Sequence, residues 1–233
     1  MEMERIIQNS EMLSSLKWYF DIKNLSLKNA LLLHCPLSAE NQKDLRMYYS
    51  QYFSGLLSAT ELFLDKDYPH NVEFKDTLYK GLSFKDFPKG EDNYSYLREL
   101  RNSIIHRGLD INLAAHIINN FPMIISPSPV TNRSKKSEYI AFDYYLIDLI
   151  AKCENIIGTV FLNHIEEFGL LQIEISQEEI IKMSKEFISN ASAIPDWAKD
   201  MALNAIKNID HSVIYQNFVN SLKETLKINI LSN

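Results

Sequence analysis

Apolar residues recur three or four positions apart along most of the 233-residue chain, which is the spacing that places them on one face of a helix. In the second of the long segments, Leu45, Tyr49, Phe53 and Leu56 follow this spacing. The pattern predicts a mostly helical, all-α protein. Helices are predicted over residues 2–22, 38–64, 75–84, 93–107, 111–120, 143–168, 177–190, 196–208 and 212–228.

Residue types at the segment ends support these boundaries. Ser38 stands where its hydroxyl would cap the free amides of the second long helix. Gly108 follows the third long helix, and glycine is the residue type that most often ends a helix. The whole chain has only six glycines, which favours long helices over sheets with tight turns.

The helical spacing gives way between residues 121 and 142. Residues 122–126 and 138–142 are short apolar runs on either side of a polar turn, and they predict a β-hairpin inserted into the helical frame. The turn, residues 131–137, carries Arg133, Lys135 and Lys136, so we interpret it as a solvated tip, with contact to a phosphate backbone as the alternative. The predicted organisation is an antiparallel helical bundle with this insertion over residues 1–168 and a C-terminal helical extension over residues 169–233.

The charge of the chain restricts the functions it can have. The 24 Lys and Arg and the 30 Asp and Glu residues give a net charge of −6. An acidic surface repels phosphate, which excludes a protein that coats nucleic acid with a broad basic face. The acidity is not evenly spread. Residues 161–200 contain eight acidic and three basic residues, whereas residues 96–107 contain three arginines and one glutamate. A small anion-binding site near residues 96–107 therefore remains compatible with the composition.

The sequence predicts neither metal nor membrane chemistry. Cys35 and Cys153 lie far apart in apolar surroundings, as expected for buried thiols in a reducing compartment. No apolar run reaches the roughly 18 residues of a membrane span, and the N-terminus lacks the pattern of a signal peptide, so we expect a soluble, cytoplasmic protein. His164 and Glu167 are three residues apart, but without a second histidine they are interpreted as a solvated helix end.

Candidate chemistry is concentrated in the third long helix. Leu97, Leu100 and Ile104 share the face expected to enter the core. On roughly the opposite face, four residues apart, come three side chains that suit an anionic ligand: Arg98, Asn102 and His106.

Arg101 lies near the edge of the apolar face of this helix. A guanidinium there needs a carboxylate or a phosphate nearby, and Glu61 on the second helix is a candidate structural partner. The same Arg101, followed by Asn102 and, five positions after the arginine, by His106, resembles the arginine–polar–histidine motif of the HEPN superfamily (higher eukaryotes and prokaryotes nucleotide-binding). The resemblance extends to the motif's place at the end of a long helix and covers about residues 1–168.

The resemblance implies metal-independent cleavage of RNA without a cofactor, in a toxin or an antiviral-defence effector. Arg101, Asn102 and His106 would be catalytic, Arg98 and Arg107 would hold the RNA, and a homodimer would supply a second His106. Gly108 stands where some toxins of this class carry a tyrosine that a partner enzyme modifies, which puts that form of regulation in doubt.

Two other hypotheses remain open. The chain is alternatively a non-catalytic helical module that binds a nucleotide or, through its C-terminal helices, a protein partner or inhibitor. A third reading is a purely structural helical protein in which Glu61 neutralises Arg101.

Overall fold

The structure is a computed structural model. It describes residues 2–34, 36–85, 87–109, 115–118, 121–124, 130–131, 134, 138–139, 146–172, 177–206 and 209–231. Cys35 and Asp110 lie outside the described residues.

The described residues are mostly helical, which confirms the predicted all-α class. They form eight helices: α1 (Glu2–Leu31), α2 (Ala39–Leu64), α3 (Asn71–Gly81), α4 (Gly90–Arg107), α5 (Leu146–Glu167), α6 (Gln177–Asn190), α7 (Asp196–Ile206) and α8 (His211–Lys227).

Three helix ends follow local signals in the sequence, whereas α3 (Asn71–Gly81) begins and ends before the predicted residues 75–84. The Ser38 hydroxyl accepts a hydrogen bond from the amide of Asn41 at 3.1 Å and so caps α2. Gly108 adopts the left-handed conformation, with φ of 67°, directly after α4. Gly169, with φ of 60°, does the same shortly after α5. Any other residue type would be strained in this conformation. A glycine at each position therefore allows α4 and α5 to end where they do.

Helix α1 is longer than predicted, since it continues from residue 22 to Leu31. Lys23 and Asn24 interrupt the apolar pattern at this point, but both side chains are buried. The Lys23 ammonium lies 2.5 Å from the Glu154 carboxylate on α5, and Asn24 donates to the carbonyl of Thr225 on α8. Partners distant in sequence therefore make these polar residues compatible with a helix interior facing the core.

The segment between α4 and α5 differs from the prediction. Residues 115–118, expected in a helix, form strand β1 (Ala115–Ile118), which pairs antiparallel with β2 (Phe121–Ile124). The two residues between these strands in the sequence are both asparagine, a residue type favoured in tight turns.

The predicted pairing of residues 122–126 with residues 138–142 is also wrong. Strand β2 pairs with β1, and the described part of the second run, β4 (Glu138–Tyr139), pairs instead with β3 (Val130–Thr131). Strands this short give little period-two signal by which a partner is selected.

The main core lies between α1, α2, α4 and α5. Tyr19 and Lys23 of α1 contact Gly55 of α2, and Ser26 contacts Gln51, so the two helices run antiparallel. A Cβ at Gly55 would lie 2.8 Å from the carbonyl oxygen of Tyr19, so glycine permits this close approach.

Helix α8 belongs to the same core, although it lies far along the chain. Leu222 and Leu226 are buried in the cluster that α1, α2 and α5 form. A Cβ at Gly158 of α5 would meet the carbonyl oxygen of Leu226 at 2.0 Å, so α8 packs directly on the α5 backbone. The C-terminal helix therefore contributes to the folding of the rest of the protein.

Helices α6 and α7 contact each other but bury little. Helix α6 has no buried residue, and Ile206 is the buried residue of α7. Phe187, Trp197 and Met201 are all exposed on these two helices. Within the described part of the chain, no helix is both long enough and apolar enough to cross a membrane.

Candidate functional site on helix α4

Helix α4 presents the predicted faces. Leu97, Leu100 and Ile104 are buried in the core, as expected. Arg98 and His106 are exposed and Asn102 is partly buried, so these three side chains form an accessible row along the other side of the helix. The side chain of Arg107, predicted to bind substrate, lies outside what the structure describes.

Arg101 contacts the partner that the sequence proposed for it. Its Nη2 donates a hydrogen bond to Oε1 of Glu61 on α2. The side chain of Arg101 is 17% exposed and that of Glu61 is 43% exposed, so this ion pair lies at the surface end of the contact between α2 and α4. The Nε of Arg101 is buried and has no hydrogen-bond partner among the described residues.

Helical geometry separates Arg101 from His106. Five residues correspond to a rotation of about 140° and a rise of about 7.5 Å. The guanidinium of Arg101 turns toward α2, whereas the imidazole of His106 lies in solvent. The structure therefore brings Arg101 and Glu61 together, but it does not place Arg101 and His106 in one closed pocket.

A second guanidinium at the site was missed by the sequence analysis. Arg46 of α2 donates from Nη2 to the carbonyl oxygen of Gly108 at 3.1 Å, two residues beyond His106. Cations are favoured near the C-terminal carbonyls of a helix. No local motif marks Arg46, because Gly108, whose carbonyl it contacts, is 62 positions away in the sequence.

The short strands add a further element beside α4. Both β3 and β4 contact this helix, and Val130 of β3 is buried. The stretch of sequence that joins the two strands carries Arg133, Lys135 and Lys136, which lie outside the described residues. Both of the strands that flank this stretch contact the helix that carries the candidate site.

His164 contradicts its interpretation as part of a solvated helix end. It is buried, and its Nε2 lies 2.8 Å from the hydroxyl oxygen of Tyr68. The rings of Phe63, Phe74 and Phe168 surround it. Burial lowers the pKa of His164 from 6.5 to about 4, with a smaller contribution from His70. The prediction that His164 lies in a helix is confirmed. The prediction that it faces solvent is wrong, because the connection between α2 and α3 covers that side of α5.

Lys23 and Glu154 form a second polar cluster, this one inside the core. Tyr52 donates its hydroxyl to the same Glu154 oxygen that Lys23 contacts, at 2.9 Å. Burial lowers the pKa of Lys23, and the Glu154 carboxylate opposes that shift. The neighbouring Cys153 is buried, as predicted, and burial raises the pKa of its thiol to about 12. The cluster is closed to solvent, so it does not extend the site on α4.

Metal-binding groups are not apparent in the part of the chain that the structure describes, since no three His, Cys, Asp or Glu side chains there are placed to hold an ion. Comparison of the chain with protein-family models, with curated proteins and with solved structures gives no match. The case for a function therefore depends on the residues of α4 and their neighbours.

Proposed function

We propose that the protein is a HEPN-like, metal-independent endoribonuclease that acts as a homodimer in the cytoplasm, as a toxin or an antiviral-defence effector. In this proposal residues 1–168 supply an antiparallel helical bundle and residues 169–233 a C-terminal extension, whose last helix, α8, packs into the same core. One observation carries the proposal: an exposed histidine ends a row of polar side chains on α4, and Arg101 of the same helix holds its guanidinium at a partly exposed ion pair with Glu61.

The proposed reaction is attack of an RNA 2′-oxygen on the adjacent phosphorus atom, with cleavage of the bond to the 5′-oxygen. His106 accepts the proton of the 2′-hydroxyl as the general base. The 5′-oxygen must gain a proton as it leaves, and a second His106 from the other protomer donates it. Asn102 orients His106 or the phosphate.

Arg101 stabilises the charge that develops on the phosphate oxygens in this mechanism. Its pairing with Glu61 means that a phosphate must compete with a carboxylate for the guanidinium. The partly exposed position of the pair makes that competition feasible, because a surface ion pair contributes only about 0–1 kcal/mol. Arg98 and Arg107 would hold the RNA backbone, and Arg46 adds positive charge at the end of α4.

The test is cleavage of labelled single-stranded RNA by the purified full-length chain without divalent cations. We expect His106→Ala and Arg101→Ala to lose at least about 100-fold in rate, which is typical of removing a general base or a charge-stabilising donor. His34→Ala is the matched control, because His34 is also an exposed histidine but lies outside α4. Equal cleavage by wild type and both site variants would overturn the proposal.

A second candidate function is binding of a protein partner or inhibitor through the C-terminal helices. The exposed Phe187, Trp197 and Met201 on α6 and α7 favour it, because large apolar side chains are enriched at protein interfaces. Deletion of residues 177–233 is not a suitable test, since α8 would be lost from the core. Trp197→Ser and Phe187→Ser are better, and this candidate predicts a protein complex that both variants weaken and an absence of RNA cleavage by wild type.

A further inference from the structure

A cleft of about 450 Å³ lies between the N-terminal half of α1, helix α6 and helix α8. Its apolar wall includes Ile180 and Met183 of α6 and Ile214 and Phe218 of α8. Sites for small molecules are typically concave, mostly apolar and about 300–1,000 Å³ in volume. The cleft therefore has the size and the lining of a small-molecule site, and none of the candidate residues on α4 contributes to it.

Helix α6 is fixed beside this cleft without being packed into the core. The side chain of Gln177, at the start of α6, donates to the carbonyl of Ile209 at 2.7 Å and accepts from the amide of His211 at 3.3 Å. Yet α6 has no buried residue, and its Ile180 and Met183 are only partly buried. A ligand in the cleft would cover apolar surface that the fold leaves accessible on this helix.

His211 gives the cleft a polar group that lacks a partner. The imidazole lines the cleft, and its Nε2 is shielded from solvent without a hydrogen-bond partner among the described residues. Buried polar atoms in folded proteins are normally hydrogen-bonded, so this nitrogen is suited to a ligand. An imidazole nitrogen accepts or donates according to its tautomer, so the charge of the surroundings must select the ligand.

The charge of the lining favours a cation. Glu11 of α1 lines the cleft and is exposed, and no Lys or Arg is among the described residues that line it. The rings of Tyr215 and Phe218 also belong to the lining, and the faces of aromatic rings attract cations.

The N-terminus of α8 offers little to an anion, although helix N-termini commonly bind anions. Oδ1 of Asp210 already accepts from the amides of Ser212 and Val213, at 3.1 and 3.2 Å. The amide of His211 is taken by Gln177. The first three amides of the helix therefore have partners, and the carboxylate of Asp210 offsets the positive end of the helix dipole.

We propose that the cleft between α1, α6 and α8 binds a small amphiphilic amine. The ammonium group lies against the carboxylate of Glu11 and donates a hydrogen bond to Nε2 of His211. The apolar body of the ligand packs on Ile180, Met183 and Phe218. This inference goes beyond the proposed ribonuclease, because amine binding requires neither RNA nor a second copy of the chain.

The first experiment compares three small compounds that share a phenyl ring and a short chain but differ in charge: 2-phenylethylamine, 2-phenylethanol and 3-phenylpropanoate. Calorimetric titration of the full-length chain measures each affinity. We expect the amine to bind about fivefold more tightly than the alcohol, as one exposed ion pair allows, and the carboxylate to bind most weakly. No binding of the amine up to the order of 10 mM, or a carboxylate that binds as tightly as the amine, overturns the proposal.

Two variants separate the contributions of the polar groups. Glu11→Gln should remove the preference for the amine over the alcohol, whereas His211→Leu should weaken both compounds because the acceptor nitrogen is lost. Glu224→Gln is the matched control, since Glu224 is also an exposed glutamate but lies outside the lining. A preference that survives in Glu11→Gln, or unchanged binding in His211→Leu, contradicts the proposal.

Methyl spectra of chain labelled at methionine locate the bound amine. The signal of Met183, assigned by its loss in Met183→Leu, should shift when 2-phenylethylamine is added. Met201 on α7 is the control, because it is exposed but does not line the cleft. A shift of Met201 without one of Met183 would overturn the placement of the site. RNA cleavage is measured separately, so the failure of either proposal leaves the other standing.

Discussion

Two ion pairs in this protein join a basic side chain to a glutamate on another helix, and they differ in their exposure to solvent. The side chains of Lys23 and Glu154 are 3% and 0% exposed, between α1 and α5. Those of Arg101 and Glu61 are 17% and 43% exposed, between α4 and α2. The first pair also holds the hydroxyl of Tyr52. Each pair leaves one buried atom without a hydrogen-bond partner among the described residues, Oε2 of Glu154 in the first and Nε of Arg101 in the second.

This difference in exposure indicates that the Lys23–Glu154 pair has a structural role, whereas the Arg101–Glu61 pair is open to competition from a ligand. Removing either partner of a buried pair lowers the free energy of unfolding by several kcal/mol, because the remaining charge stays in a medium of low dielectric constant. The second pair reaches solvent mainly through Glu61, so it costs less to open than the buried pair, and an incoming anion can compete with the carboxylate. Four predictions follow, ordered from the largest expected effect to the smallest, and those on Lys23 and Glu61 test this distinction directly.

Lys23→Met should destabilise the fold by about 3–5 kcal/mol, because Glu154 would be left buried without a counter-charge. The free energy of unfolding measured with a denaturant checks this value. The double variant Lys23→Met with Glu154→Leu should recover much of the loss, since both charges are then removed. Arg101→Met is the comparison, with an expected loss of no more than about 1 kcal/mol. Equal losses in Lys23→Met and Arg101→Met would remove the distinction between the two pairs.

His164 should make stability depend on pH. Its folded-state pKa of about 4 lies below the ordinary 6.5, so the unfolded chain binds more protons between these values. This contribution is fully present above about pH 6.5 and is lost as the pH falls toward 4, by about 3 kcal/mol in total. Unfolding free energies measured across this range check the slope, and His164→Gln should flatten it. A slope unchanged in that variant would contradict the assignment.

Glu61→Gln should strengthen RNA binding by about fivefold, the equivalent of about 1 kcal/mol, because Arg101 is released from its carboxylate partner. Fluorescence anisotropy with a labelled single-stranded RNA measures the effect. In an Arg101→Gln background the same substitution should have no such effect. If Arg101 is purely structural, Glu61→Gln will leave RNA binding unchanged and lower the stability only slightly.

Replacement of Arg133, Lys135 and Lys136 by glutamine should have the smallest effect. If the segment between β3 and β4 contacts the RNA backbone, the dependence of log K on log salt should become shallower by about 2, from roughly 0.7 for each of three contacts. Affinity measured at several salt concentrations checks this value. An unchanged slope would restore the interpretation of these residues as a solvated tip.

Local signals predicted much of the fold. The apolar spacing and Ser38 defined α2, and Gly108 defined the end of α4, because capping and helical periodicity depend on residues within one or two turns. The buried and exposed sides of α4 followed for the same reason. The polar row of Arg98, Asn102 and His106 was therefore predictable as an accessible feature.

The predictions were wrong where the residues packed around a side chain or a strand belong to distant parts of the sequence. Lys23 ended the predicted α1 too early, because nothing near it in the sequence reveals Glu154, 131 positions away. His164 was assigned to solvent because the sequence does not show that Tyr68 covers it. The strand pairings failed because strands of two to four residues carry too little pattern to select a partner.

By itself, the sequence determined the helical class, most helix boundaries and the order of polar groups along α4, since these depend on local backbone preferences and periodicity. It also named Glu61 as a partner of Arg101, because a guanidinium beside an apolar face needs an anion. Only the tertiary structure decided which charges are closed in the core and which stay accessible, and that Arg46 joins the end of α4. Solvent exposure is set by what packs over a side chain, and the segments that cover these residues come from other parts of the chain.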